Sequence, residues 1–330
     1  MTRLTSLFLV LAGVVANFDS LARQSSDNNL PEIAGELVVV NKGSSNVHII
    51  NLSHPAHRSI IQTGREPHEV AVSPDGMTAV ITDYGGQNPG NTLTVIDLES
   101  KKKLKSIELK GYRAPHGIDY LNNDHVVVTC EADQAVLLIN VVTGKIEKIM
   151  KTGQQMSHMV VTDGADRVYV SSIGSGNLSV FDAKRGELLK HIETDSGAEG
   201  LDITPDGNEI WVANRAADNV TVIDAHALSE IETLSTGSFP IRVKITPDGS
   251  KVLISNARDG SITVFDAQSK QRLKTIALDI DLSKGLSPIG ILPHPQAPYV
   301  FVANTTANEI IVVDLNKLKE VGIISTDNVP

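Results

Sequence analysis

Three histidines and a glutamate occupy one recurring place in this 330-residue chain. His68, His116, His158 and Glu199 each open the first strand of a repeated unit, and Glu69 and Arg242 stand one position further on. Imidazoles and a carboxylate brought to one spot support two chemistries. As neutral ligands, His68, His116 and His158 with Glu199 can hold a divalent metal such as Zn²⁺, leaving a coordination place for a water whose pKa the metal lowers. Alternatively, His116, His158 or Glu199 works as general acid or base while Arg242 steadies a carboxylate or oxyanion, as a lyase or lactonase requires. The bland alternative is a set of channel-lining side chains that bind ordered water. Four such residues in strict register favour a site, because clustered titratable groups in a cavity are functional candidates.

What positions them is a repeat. Aligning the polar residue that ends the second strand of each unit gives Asn41, Asp83, Cys130, Ser172, Asn214, Asn256 and Asn304, separated by 42, 47, 42, 42, 42 and 48 residues. A period near 42 denotes propeller blades or solenoid turns. Each unit reads as four strands: an inner run such as IRVKI (241–245), a Ser/Thr-Pro-Asp-Gly turn (73–76, 204–207, 246–249), a second strand such as VLISN (252–256), and a third such as SITVFD (261–266). A fourth strand rich in Lys and Thr closes it. Nothing between the units reads as a helix. The fold expected is all-β, a seven-bladed propeller of four-stranded antiparallel blades spanning residues 36–330.

In a propeller, the loop leading into the innermost strand lies at the mouth of the central channel, so equivalent positions converge on one axis. Six inner strands are evident, opening near His68, His116, His158, Glu199, Ile241 and Ile289. The chain stops at Pro330, which aligns with Pro67 and Pro240 at the place where a seventh would start. The seventh inner strand therefore looks missing at the C-terminus; truncation is the expectation, with an irregular contribution from residues 30–34 or a three-stranded blade as alternatives. A second ring on the same face comes from the ends of the second strands: Asp83, Tyr84, Glu131, Arg215 and, nearby, Arg258. These, with Glu69 and Arg242, are the expected ligand-binding residues. The Gly-rich turn at 84–91 reads as a lip over the opening, and it is not a phosphate loop because it lacks the Gly-Lys-Ser/Thr ending.

Composition narrows the function. A formal charge of −10 disfavours nucleic acid, whose phosphates are bound by clustered Lys and Arg that release counterions. One Trp, five Tyr and six Phe leave little for base stacking. Cys130 is the only cysteine, so there is no intrachain disulfide; it reads as a small buried residue. Residues 1–22 read as a secretory signal peptide, with Arg3 before an apolar run from 4 to 16 that is short of the roughly 20 residues a membrane span needs. Residues 23–35 follow as a polar linker. The expected location is periplasmic or secreted, with no transmembrane segment after signal cleavage.

The segments TVIDLESKKKLKSIEL (94–109) and TVIDAHALSEIETLSTG (221–237), with the repeated SPDG and TPDG turns and the VAN and ISN strands, resemble the YVTN-repeat, YncE-like propellers of bacterial cell envelopes. The resemblance covers residues 36–330. It implies the same seven-bladed fold and a role in binding, which for YncE itself includes DNA. Streptogramin lyases and propeller lactonases are similar in architecture. The reading is an exported propeller that binds a small anionic ligand or an envelope protein at its channel mouth, with the metal-assisted or acid-base lyase or lactonase as the alternative. The remaining histidines (His48, His54, His57, His125, His191, His226, His294) read as surface or turn residues, and Trp211 as core.

Overall fold

The computed structural model describes residues 30–330, together with the backbone strand Leu7–Leu9. Seven four-stranded sheets are present, and apart from Leu7–Leu9 every strand pairs antiparallel with its sequence neighbour. Blade 2 shows the pattern: Pro67–Val72 innermost, then Thr78–Asp83, Thr92–Asp97 and Lys102–Glu108. The inner strands of blades 3 to 7 are Pro115–Asn122, Ser157–Thr162, Ala198–Ile203, Pro240–Ile245 and Ile291–Pro293. The only helical turns among the described residues are two short 3-10 pieces at Glu131–Asp133 and Leu282–Lys284.

The sequence dictates the punctuation of each blade. In the Pro-Asp-Gly turns the hydroxyls of Ser73, Thr204 and Thr246 each donate to the Asp two residues on, at 2.6 Å. At the end of the third strands Asp97, Asp182, Asp224 and Asp266 accept backbone N–H groups two or three residues ahead, the Asx arrangement that closes a tight turn. Second and third strands carry the β-branched runs and are buried throughout, so the core is a series of inter-blade layers, such as the one joining Val80, Leu93, Ile118 and Val128. Trp211 lies fully buried in one of these, as expected. Fourth strands alternate and face outward; Lys102, Lys103 and Lys105 lie on one.

Blade 1 departs from the expectation of a missing inner strand. Leu7–Leu9 runs beside Glu36–Asn41 in parallel, Leu7 opposite Leu37 and Leu9 opposite Val39, so the blade has four strands. An uncovered strand edge presents a row of unpaired N–H and C=O groups, and an apolar segment able to extend can satisfy them. The rest of the expected signal peptide at 1–22, and linker residues 23–29, lie outside the described residues. Residues 30–34 do not form the strand either: Leu30 and Ile33 pack into the core layer between blades 1 and 7.

The C-terminal residues close the ring. Val329 adopts the left-handed conformation (φ 53°) that Glu66, Ala114, Met156 and Phe239 adopt just before their inner strands. Its carbonyl accepts Lys42 N at 2.9 Å, as that of Phe239 accepts Ala257 N at 3.0 Å. Asp327 takes Asn46 Nδ2 at 3.0 Å and His48 Nε2 at 3.1 Å. His48 is therefore buried in the closure, not on the surface as expected, and His294 is likewise buried, its Nε2 3.0 Å from the carbonyl of Ala34.

Candidate functional site

The residues at the channel mouth are aimed by a repeated irregularity. Where the inner strand begins, the ladder to the second strand slips: the register shifts between Pro67 and Val70, Ser157 and Val160, Ala198 and Leu201, and Pro240 and Arg242. Such a bulge re-aims side chains and frees a backbone N–H that needs a partner. The hydroxyl one residue before the end of the second strand supplies it. Thr82 Oγ1 accepts Glu69 N at 2.9 Å and donates to the carbonyl of His116 on the next blade at 3.0 Å. Thr129 does the same for Gly117 N (2.8 Å) and the carbonyl of His158 (2.6 Å), and Ser171 for Met159 N (3.3 Å) and the carbonyl of Glu199. His116, His158 and Glu199 are thus each fixed by the blade before them. Gly117 and Gly200 serve this close approach, since a Cβ there would lie 2.5 Å from the His158 carbonyl oxygen and 2.3 Å from that of Ile241.

The side chains converge. His68, His116 and His158 form a column with ring centroids 3.9 and 3.6 Å apart, and Tyr84 leans on its first ring at 5.1 Å. His158 Nδ1 is hydrogen-bonded to Glu131, and His158 Nε2 is 3.3 Å from Glu199 Oε1. Glu199 meets Arg242 Nη1 at 3.2 Å and Arg215 Nη1 at 2.7 Å, and Arg242 Nη2 reaches Glu69 Oε1 at 2.7 Å. Tyr84 donates its hydroxyl to Glu131 Oε2 at 2.8 Å. The three histidines, Glu199, Arg215 and Arg242 border a cavity of about 630 Å³ whose wall also includes Lys42, Phe239, Leu286 and Thr305.

The charges are set by these partners. Burial opposes the imidazolium of His158, but hydrogen bonds to Glu131 and Glu199 overcome it and raise its pKa. Burial likewise opposes the charge of Glu199, yet His158, Arg242 and Arg215 pull its carboxyl down to about 2. His68 and His116 have no carboxylate hydrogen bond; burial and the neighbouring cations hold both well below the ordinary histidine value. Their Nδ1 atoms are buried without a hydrogen bond, that of His68 lying 3.5 Å from Glu69 Oε1. Burial also lowers the Lys42 ammonium, against the pull of Glu66, Glu131 and Glu69.

The sequence model of the lactonase family of seven-bladed β-propellers matches residues 41–287. The chain belongs to that family. No curated protein matches the lactonase-family chain in sequence. Among solved structures, a chain of Kuenenia stuttgartiensis hydrazine synthase superposes with a TM-score of 0.68 over 79% of this chain and 87% of its own, at 18% identity. That likeness is one of fold.

Of the residues expected in this lactonase-family propeller's site, His68, His116, His158, Glu199, Glu69, Arg242, Tyr84, Glu131 and Arg215 are brought together. Asp83 and Arg258 are placed differently. Both carboxylate oxygens of Asp83 are taken by Gly64 N (2.8 Å) and the hydroxyls of Thr92 and Thr94, so it clasps its own hairpin. Arg258 stacks on Phe239, 4.1 Å from the ring centre. The expected four-ligand metal set is divided, because both nitrogens of His158 and both oxygens of Glu199 face charged partners. The groups whose ligand atoms lie within 4.8 Å of one another are His68, Glu69 and His116, and His116, Glu131 and His158. A cation joining the first would compete with the guanidinium already 2.7 Å from Glu69.

The turn at 84–91 packs back on blade 2, with Gly85 N bonded to the Arg65 carbonyl and Arg65 Nη2 to that of Asn88. Residues 284–286 form the cavity wall instead. Sequence reasoning missed Lys42 and Thr305, although the signal existed: both follow directly after the polar residue of the repeat, as Tyr84, Glu131 and Arg215 do. Cys130 is buried and burial raises its thiol pKa, so it is no nucleophile.

Proposed function

We propose that this propeller binds a small carboxylate-bearing molecule in the cavity at its channel mouth. The observation that carries the reading is the pair of arginines, Arg215 and Arg242, on the cavity wall beside Lys42. Planar guanidinium donors match a carboxylate, and Lys42 and Arg242 add to the burial that keeps His68 and His116 from taking a proton, so an anion here meets fixed cations and neutral rings. The apolar run near the N-terminus supports the further proposal that the protein works after export, in the periplasm or outside the cell. Calorimetric titration at physiological salt with a panel of small carboxylates, run beside single-stranded DNA, tests the reading. Saturable carboxylate binding that is lost in Arg215→Gln is expected. Salt-sensitive DNA binding with no carboxylate response would sink it.

A second reading is favoured by membership of the lactonase family together with two neutral imidazoles in the cavity. Water would add to the carbonyl carbon of a cyclic ester while His116 or His68 takes its proton. Arg215 would hold the tetrahedral oxyanion, and on collapse the ring C–O bond breaks and the departing alkoxide recovers the proton; the carboxylic acid so formed releases its own proton to solvent, leaving a hydroxy-carboxylate on the arginines. Acid release from γ- and δ-lactones in a pH-stat should exceed the uncatalysed rate and vanish when both rings are replaced (His68→Gln with His116→Gln). Lactones that bind without releasing acid would leave only the binding role.

A further inference from the structure

The cavity wall is not uniformly polar. Blades 2 to 4 contribute the imidazole column, whereas the opposite side is built from Phe239, Ile241 and Ile289, with Leu286 at the rim. Leu286 belongs to the segment between the last strand of blade 6 and the first of blade 7. That segment makes the Asn256-to-Asn304 unit 48 residues long where most are 42. The extra chain is pinned over the mouth. Ser287 N donates to the Ala257 carbonyl at 3.0 Å, Ser287 Oγ to Asn304 Oδ1 at 3.0 Å, and Thr305 Oγ1 to the Leu286 carbonyl at 3.0 Å. A single exposed leucine on a surface is ordinary. Leu286 differs because it is 39% exposed yet lines the same cavity as the arginines, and Arg215 sits 5.3 Å from the Phe239 ring centre, where cationic and apolar walls meet.

Resting on the carboxylate-binding reading, we propose that the ligand is an amphipathic carboxylate. Its anionic head sits among Arg215, Arg242 and Lys42, and a short hydrocarbon body lies against Phe239, Ile241, Ile289 and Leu286, with the 278–289 insertion setting how long that body is. An apolar wall facing a cationic one rewards a molecule that carries both characters, since each methylene removed from water adds a fixed increment of affinity.

The test is a titration series of acetate, butanoate, hexanoate and octanoate against the wild-type protein, Leu286→Ala and Leu286→Asp. Affinity is expected to rise about fourfold per methylene until the cavity is filled. The slope of affinity with chain length, read within each variant so that the added charge of Leu286→Asp acts on every member of the series alike, should shrink in Leu286→Ala and largely disappear in Leu286→Asp. Leu286 lies on an exposed rim, so unaltered melting of the variants checks that the fold is intact. If the carboxylates bind with no dependence on chain length, or the slope survives in Leu286→Asp, the amphipathic assignment is overturned and the carboxylate reading stands. If no member of the series binds, the underlying reading falls and this one with it.

Discussion

The same inner strands carry two layers of polar residues, and the two are spent differently. At the mouth, Glu69, Glu199 and Arg242 answer one another and His158 through side chains. Two or three residues deeper along the strands, around a cavity of about 240 Å³ that Glu69 and Arg242 also line, stand Asp119, Asp202 and Lys244. There the carboxylates serve the backbone first: Asp119 Oδ2 accepts Thr162 N at 2.8 Å and Asp202 Oδ2 accepts Ile245 N at 2.9 Å, each stapling its blade to the next, while the other oxygen of Asp202 lies 3.5 Å from Lys244 Nζ. Both layers are acids and bases in register, the mouth buried and the deeper one half-buried, so composition alone would rate them alike. What separates them is the partner. A carboxylate bonded to a neighbour's amide is fixed by the fold, whereas one held by side-chain cations can exchange part of that pairing for a ligand.

Removing one member from each layer should expose the difference. Arg242→Met leaves Glu69 and Glu199 buried without their shared cation, and breaking a buried pair in this way costs about 3–5 kcal/mol. It should also abolish carboxylate binding. Asp119→Ala strands the Thr162 N–H, which costs about 1–3 kcal/mol, and should leave binding intact. Denaturant unfolding and calorimetry on both variants settle the matter. Equal losses of stability, or a binding defect in Asp119→Ala as large as that in Arg242→Met, would erase the distinction between the layers.

The blades were legible because their chemistry is local: a Pro-Asp-Gly turn and a β-branched run mean the same thing each time they recur. The convergence of His68, His116, His158 and Glu199 was legible for a related reason, since equivalent residues of a closed ring must meet. The partner of each residue was not. Glu131 grips His158 from the preceding blade, a relation that depends on the bulge and on the hydroxyls of Thr129 and Ser171, which look like ordinary strand residues in sequence. His48 and His294 were misread as surface residues because nothing nearby announces Asp327 or the carbonyl of Ala34, distant in sequence by 279 and 260 residues. The strand beside Glu36–Asn41 breaks the repeat altogether, running parallel where every other pairing is antiparallel.

The smallest effect, and the sharpest probe of the mouth, is the order in which its histidines titrate. Hydrogen bonds to Glu131 and Glu199 raise the pKa of His158 against its burial, while burial and nearby cations push those of His68 and His116 well below the ordinary value. Ring-nitrogen NMR should therefore find His158 still protonated at pH values where the other two have long been neutral. The signs for stability are opposite. The contribution of His158, with its pKa raised on folding, is complete below the ordinary value of about 6.5 and is lost as pH rises through the folded value. For His68 and His116, with pKa values lowered on folding, stability is lost as pH falls below about 6.5, because the unfolded chain takes up protons that the folded one refuses. Asp119, lifted by burial to about 6, adds its own change on the acid side, so the alkaline side is the cleaner window. Glu131→Gln removes one of the two hydrogen bonds that raise His158 and should move that residue's titration, and the alkaline loss of stability, to lower pH while leaving His68 low. A His158 that titrates together with His68 in the wild-type protein would mean that the column is uniformly neutral and that the charged layer at the mouth ends at Arg242.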